Sequence, residues 1–335
     1  MNKVFIIAEI AQAHEGSLGI AHSYIDALAA CGVDAIKFQT HIAEAESSEH
    51  EMFRVNFSYE DKTRFDYWKR MEFTMEQWEG IADHCNEKGV EFISSPFSCA
   101  AVDLLESLNV KRYKIGSGEL QNYLMLDKIA RTKNPIILSS GMSNWQELDE
   151  TISFLKPFGN ELSLLQCTTA YPTIAGQWGL NHILEIKQRY GIRTGFSDHS
   201  GKSYVGIAAA AMGAEILEFH VVFDKQMFGP DAKASLTIDE VKYLVQSIRE
   251  LEEEKNTIYD KSNADKYTVL KTMFGKSLAV NKSLAKGHIL AIADLESKKP
   301  GDKGIPAKEY SKVIGKQLIR EKRQWDFLNY SDILI

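Results

Sequence analysis

The run Arg-Tyr-Lys-Ile-Gly-Ser-Gly-Glu at residues 112–119 brings an ammonium, a hydroxyl and a carboxylate to the end of a short apolar stretch. Gly116 and Gly118 break that stretch into a turn, which keeps Lys114, Ser117 and Glu119 close together. Such a trio suits a phosphorylated substrate and a proton transfer. Taken alone, an ordinary glycine turn with solvated Lys and Glu is the better reading; the ends of the other apolar runs reverse it. Those ends offer Glu9, then Lys37 and Gln39, Ser95, Ser139, then Thr168, Thr169 and Tyr171. Ser197, Asp198, His199, Glu218 and His220 complete the set. Two lysines among many small hydroxyls match a ligand carrying both a phosphate and a carboxylate. Lys37 and Lys114 supply charge, and Ser95, Ser117, Ser139 and Ser197 supply donors without bulk.

His199 and His220 stand at the ends of consecutive apolar runs. Neighbouring imidazoles with open oxygen positions suit Mn²⁺, Fe²⁺, Co²⁺ or Zn²⁺, and spacing does not choose among them. A lone His at a strand end is more often a hydrogen-bonded core residue, so the pairing carries the metal reading. Asp198 is either an orienter of that pair or a turn residue. Asp231, in Phe-Gly-Pro-Asp, reads equally as a turn residue and as a group reaching the same mouth.

These residues need strands that end on one face. β-rich runs at 3–9, 34–40, 91–97, 112–117, 135–140, 162–168, 193–198 and 215–222 alternate with amphipathic helical patterns, the last at 238–256. That rhythm predicts an α/β chain folded as a (β/α)8 TIM barrel, in which all strand C-termini share one face. A doubly wound sheet is the structural rival, because periodicity does not show closure. The long segment 41–74 carries Phe53, Phe57, Tyr59, Phe65, Tyr67 and Trp68, and is expected to lid the site or cover the barrel's side. Residues 1–257 are expected to form the barrel, 258–273 a linker, and 274–335 a small loop-rich β domain.

Composition narrows the function classes. At 335 residues, with 44% apolar and 25% charged, the chain has the profile of a soluble globular protein. A net charge of −7 argues against nucleic acid or an anionic membrane surface as partner. No segment reaches the ~20 apolar residues of a membrane span, and the N-terminus has no signal-peptide pattern. Cys31, Cys85, Cys99 and Cys167 are scattered without CxxC spacing, which predicts reduced thiols in a cytoplasmic protein.

The stretches holding these residues resemble the sialic acid synthase family along nearly the whole chain. Ala-Glu-Ile-Ala-Gln-Ala-His-Glu-Gly-Ser (8–17), Ile-Lys-Phe-Gln-Thr-His (36–41), Ser-Ser-Pro-Phe-Ser (94–98) and Tyr-Lys-Ile-Gly-Ser-Gly-Glu (113–119) carry its first half. Ile-Leu-Ser-Ser-Gly-Met (137–142), Gln-Cys-Thr-Thr-Ala-Tyr-Pro-Thr (166–173), Gly-Phe-Ser-Asp-His-Ser (195–200), Ile-Leu-Glu-Phe-His (216–220) and Gly-Pro-Asp (229–231) carry the second. Leu-Ala-Lys-Gly-His-Ile-Leu (284–290) and Lys-Lys-Pro-Gly (298–301) resemble that family's antifreeze-like (SAF) domain.

The resemblance implies condensation of phosphoenolpyruvate with N-acetylmannosamine or a related deoxy amino sugar, giving a nine-carbon 2-keto acid. It assigns Lys37, Ser95, Lys114, Ser117, Ser139, Thr169, Tyr171 and Ser197 to phosphoenolpyruvate. It assigns Glu9, Gln39, Tyr171, Asp231 and Lys299 to the sugar. Glu119 becomes the acid/base, with Glu9 and His199 also in the catalytic set. His199 and His220 would hold a divalent metal, Mn²⁺ foremost, with Mg²⁺ or Co²⁺ next. The partner implied is a second copy in a domain-swapped homodimer.

Three positions depart from the family pattern: Ala13 and Thr169 stand where Asn is usual, and Lys299 stands where Arg is usual. A Lys can still reach an acyl oxygen but lacks Arg's planar fork. The rival functions are another phosphoenolpyruvate-condensing barrel acting on a sugar phosphate, and a non-catalytic sugar-binding protein. The first should show a second, Arg-rich phosphate cluster, which these strand ends lack.

Overall fold

The computed structural model describes residues 3–53 and 57–334, so positions 54–56 of the long insertion lie outside the described residues. Two compact units emerge, Met1–Thr257 and Ile258–Ile335.

In the first unit, eight parallel strands form where β-rich runs were expected. They are β1 (Phe5–Glu9), β2 (Ala35–Thr40), β3 (Glu91–Pro96), β4 (Tyr113–Ile115), β5 (Ile136–Ser139), β6 (Leu162–Cys167), β7 (Arg193–Asp198) and β8 (Ile216–Val222). The hydrogen-bonded order is β3-β2-β1-β8-β7-β6-β5-β4, and β3 packs beside β4 to bring the ends together. The result is a TIM-type barrel, not an open doubly wound sheet. A two-residue strand, β9 (Leu236–Thr237), pairs with β8 ahead of the last barrel helix. That helix, Ile238–Asn256, starts at a capping box between Thr237 and Glu240.

The pleat explains how the site is built. Successive strand residues point to opposite faces, so every second residue enters the barrel. Ile7, Ala35, Ile93, Ile137, Leu165 and Ile216 form one apolar layer inside the barrel, separate from the larger core between strands and helices. Two residues further along each strand stand Glu9, Lys37, Ser95, Ser139, Cys167 and Glu218. An apolar plug is thus topped by a polar tier at the C-terminal end.

The insertion after β2 holds helices Ala43–Glu46 and Arg64–Met71, where the sequence suggested a loop. Ala43, Tyr67, Trp68 and Met71 bury together, packed by Phe53, Phe57 and Phe65. Arg70 ties this layer down through Asp61 at 2.8 Å and Glu15 at 3.1 Å.

The second unit contains helix Thr268–Phe274 within the stretch expected to be a plain linker. It also holds an antiparallel pair, β10 (Ser277–Val280) with β11 (Leu295–Lys298). Leu278, Val280, Leu290, Ile305, Val313 and Leu328 are among its core residues. Two buried aspartates organise its turns. Asp294 takes Lys282 and His288, each at 2.7 Å, and Asp332 takes Lys322 at 2.5 Å and Arg320 at 3.2 Å.

Candidate active site

A cavity of about 380 Å³ opens at the C-terminal end of the barrel strands. Its floor is a chain of buried charges. Lys37 and Lys114, 2% and 4% exposed, reach in from β2 and β4. The Lys37 ammonium lies 2.9 Å from Glu9 Oε1 and 3.3 Å from Glu218 Oε2. Lys114 lies 2.9 Å from Glu218 Oε1, which also accepts a 2.9 Å hydrogen bond from the Ser197 hydroxyl. Burial alone would disfavour charge on all of them. For Lys37, the Glu218 and Glu9 carboxylates outweigh that cost and raise its pKa. For Glu9, His220, Lys37 and Lys114 outweigh burial and hold its carboxyl well below the usual range. The Glu218 carboxyl is lowered the same way, chiefly by Lys114 and Lys37.

The remaining walls are small and polar. Ser95 lies 3.5 Å from the Lys37 ammonium, and the buried Ser139 hydroxyl has no hydrogen-bond partner. A buried polar atom left so in a cavity wall marks a place for a ligand. The Ser117 hydroxyl accepts from the Gly141 amide at 3.0 Å. Gly141 is required there, because a Cβ would meet Thr169 Oγ1 at 2.4 Å and Ser117 Oγ at 2.6 Å. Tyr171 packs over His199, with ring centroids 4.2 Å apart. Across the mouth, Glu119 accepts from Asn122 at 2.8 Å, and burial foremost raises its pKa above the ordinary carboxylate value.

A model of the NeuB family matches residues 24–259. The chain belongs to the NeuB family. N,N'-diacetyllegionaminic acid synthase of Legionella pneumophila is 34% identical, covering 94% of this chain and 90% of its own. The enzyme of the same name from Campylobacter jejuni is 32% identical, covering 94% of this chain and 96% of its own. Among solved structures, the N-acetylneuraminic acid (sialic acid) synthetase of Leptospira borgpetersenii, crystallised with citrate, superposes with a TM-score of 0.70 at 27% identity. That match covers 81% of this chain and 91% of the other.

In this NeuB-family chain the expected residues Glu9, Lys37, Gln39, Ser95, Lys114, Ser117, Glu119, Ser139, Thr169, Tyr171, Ser197, His199, His220 and Asp231 all line the one cavity. Lys299 belongs to the second unit, where its ammonium sits 4.9 Å from the centre of the Phe274 ring.

The imidazoles of His199 and His220 are 5.2 Å apart between ring centroids. His199 Nδ1 faces the Thr168 carbonyl at 3.0 Å, which holds a proton on that nitrogen and leaves Nε2 as the nitrogen available to a ligand. Burial foremost lowers the His220 pKa, favouring the neutral ring that a metal needs. Its Nε2 lies 3.2 Å from Glu9. Among the described residues no group of three or more His, Cys, Asp or Glu is assembled around a metal position. Two imidazoles are thus the nitrogen donors at hand; against burial, Cys167 and the Thr168 carbonyl push His199 up to about 9, so a cation bound there would have to displace its second proton. Asp198 serves the local turn instead, accepting from the Ser200 amide at 2.8 Å and hydroxyl at 3.0 Å.

Glu218, Cys167 and His41 are among the cavity residues that went without a role in the sequence reading. Glu218 stands at the expected strand end, and its spacing of two from His220 was the available signal. Cys167 reads from sequence as a core thiol, yet its sulfur lies 3.8 Å from His199 Nδ1. His41 follows Gln39 at the same parity and lines the cavity beside it.

Proposed function

We propose that the protein condenses phosphoenolpyruvate with an open-chain amino sugar, N-acetylmannosamine or a related deoxy diacetamido sugar, to a nine-carbon 2-keto acid and phosphate. The observation that carries this reading is the convergence of two buried ammonium groups, Lys37 and Lys114, on one carboxylate within a ring of serine hydroxyls. A trianionic ligand can take over these lysines, which are already desolvated and fixed, so little reorganisation remains at reaction.

C3 of phosphoenolpyruvate attacks the sugar aldehyde; a carbon–carbon bond forms, and the aldehyde oxygen becomes a hydroxyl by taking a proton. Positive charge develops at C2, to which water adds while Glu119 accepts its proton. The resulting hemiketal phosphate breaks its C2–oxygen bond, with the electron pair leaving on phosphate and the C2 hydroxyl giving that phosphate its proton, and the 2-keto acid remains. Lys37 and Lys114 hold the phosphate and carboxylate throughout. Glu9 and Gln39 orient the sugar hydroxyls, and Asp231 faces them from the loop after β8. His199 and His220 would hold a divalent cation, Mn²⁺ foremost, which when bound supplies Lewis-acid polarisation of the aldehyde.

Residues 274–335 form the antifreeze-like domain in this reading, and Lys299 reaches the sugar of a partner subunit in a domain-swapped dimer. Charge supports the pairing. Residues 258–335 carry 15 Lys and Arg against 9 Asp and Glu, while residues 1–257 carry 24 against 37. All four cysteines are free, consistent with work in a reducing cytoplasm. No described helix is long and apolar enough to cross a membrane.

A phosphate-release assay with phosphoenolpyruvate, Mn²⁺ and a panel of amino sugars and sugar phosphates tests the proposal. Release that requires an unphosphorylated amino sugar supports it; release only with a sugar phosphate selects the rival barrel chemistry.

A further inference from the structure

We infer that His41 is a positioning residue for the sugar, acting through the amide of Gln39; this rests on the reading above, in which Gln39 faces the sugar. His41 lies one residue past the end of β2 and is 4% exposed. Its ring is clamped between two aromatic planes. Trp68, from the insertion, stacks at 3.9 Å and 14°, and Phe97, just past β3, stacks at 4.5 Å and 11°. The clamp leaves the imidazole no freedom except in its own plane, where both nitrogens are engaged. Nδ1 meets Glu46 Oε1 at 2.5 Å, and Nε2 meets Gln39 Oε1 at 3.2 Å.

Hydrogen-bond direction along this chain is fixed from its inner end. Glu9 is a carboxylate and can only accept, so the group 2.7 Å from its Oε1 must be the Gln39 NH₂. Gln39 Oε1 then faces outward and needs donors. Gln12 provides one at 3.0 Å, and His41 Nε2–H provides the other. Glu46, acceptor only, takes the Nδ1–H, and this donor assignment makes the ring an imidazolium paired with the Glu46 carboxylate. The insertion thereby sets which way the Gln39 amide points, and with it the second Gln39 N–H and the face of Glu9 that meet the sugar hydroxyls. Without the His41 donor, Gln39 keeps one restraint on its carbonyl and the amide rocks.

The consequence is a selective one. Gln39 stands beside Ser95 across the strand pair, but among the described residues its side chain hydrogen-bonds to Glu9, Gln12 and His41 and not to Lys114 or a serine hydroxyl, so phosphoenolpyruvate binding should depend on His41 far less than sugar binding does. The sugar should bind more weakly.

The test uses the full-length protein and the sugar that supports phosphate release. His41→Phe preserves the ring stack and removes both donors; it should raise the sugar KM roughly 5- to 20-fold, with kcat and the phosphoenolpyruvate KM within about twofold. His41→Gln places an amide NH₂ near the Nε2 position, and His41→Asn places one near Nδ1. If positioning through Gln39 is the role, Gln recovers most of the lost sugar affinity and Asn does not. If His41 merely anchors the insertion through Glu46, Asn recovers it and Gln does not, which overturns the inference. An unchanged sugar KM in a folded His41→Phe variant also overturns it. Should that variant fail to fold, the Gln and Asn pair decides alone. Absence of release by the wild type with every amino sugar overturns the proposed function, and this inference with it; activity with normal His41→Phe kinetics overturns the inference only.

Discussion

Burial raises the Glu119 carboxyl above its ordinary range, against the pull of Asn122, with Glu46 adding repulsion and His41 opposing it. A general base works deprotonated, so the rate should climb as pH rises through that elevated value. The acidic limb of the kcat/KM profile, which reports the free enzyme, should therefore lie above the ordinary Glu value of 4.5. Glu119→Gln keeps the shape and loses the basicity; kcat should fall roughly 10²- to 10⁴-fold while phosphoenolpyruvate still binds. A loss below about tenfold would make Glu119 structural. At the metal position, chelation should abolish turnover and Mn²⁺ should restore it. His220→Ala should bind phosphoenolpyruvate yet take up Mn²⁺ far more weakly by calorimetry, and undiminished uptake would remove His220 from the metal site. The lysines, serines and histidines were legible in the sequence because each stands within or at the end of an apolar, β-rich run. Glu218 was less so: an acid beside a histidine at a strand end has no visible partner until β2 and β4 bring in Lys37 and Lys114. His41 was hidden because its clamp joins Trp68 from the insertion to Phe97 from another strand, and no local pattern encodes that.

Strand β7 illustrates what an element must satisfy for the tier above the plug to form. Gly195 sits where a Cβ would lie 2.2 Å from the Ile216 carbonyl oxygen and 2.6 Å from Leu165 Cδ2. Gly195→Ala should thus push β7 away from β6 and β8, costing about 1–3 kcal/mol or more. Denaturant unfolding should show the lower midpoint, with activity lost alongside because Ser197 rides on the same strand and His199 directly follows it; an unchanged midpoint would mean the barrel adjusts freely here. The eight barrel strands were readable because β-rich apolar runs recur between amphipathic helices at a constant rhythm. The insertion was not, since its helices Ala43–Glu46 and Arg64–Met71 are short and bury an aromatic face against each other. Helix Thr268–Phe274 was missed for another reason: it is only seven residues long, and its apolar side chains Val269, Leu270, Met273 and Phe274 stay exposed.

For the molecule as a whole, the second unit is basic and the first acidic, so any attraction between the second unit of one copy and the first unit of another should weaken as salt rises. If Lys299 completes a partner's sugar site, Lys299→Ala in the full chain should raise the sugar KM roughly 10- to 150-fold and leave phosphoenolpyruvate nearly unaffected. Mass in solution should be that of a dimer; a monomer with the same sugar KM would separate the second unit from the site. The central claim is narrower than any of these: C3 of phosphoenolpyruvate forms the new carbon–carbon bond. It is tested most directly by feeding phosphoenolpyruvate labelled with ¹³C at C3, together with the active amino sugar, and following the label by NMR. The account predicts that the label becomes a ring or chain methylene joined to the former aldehyde carbon, with one phosphate released for each. Label collecting in the methyl group of pyruvate, with the sugar unchanged, would contradict it.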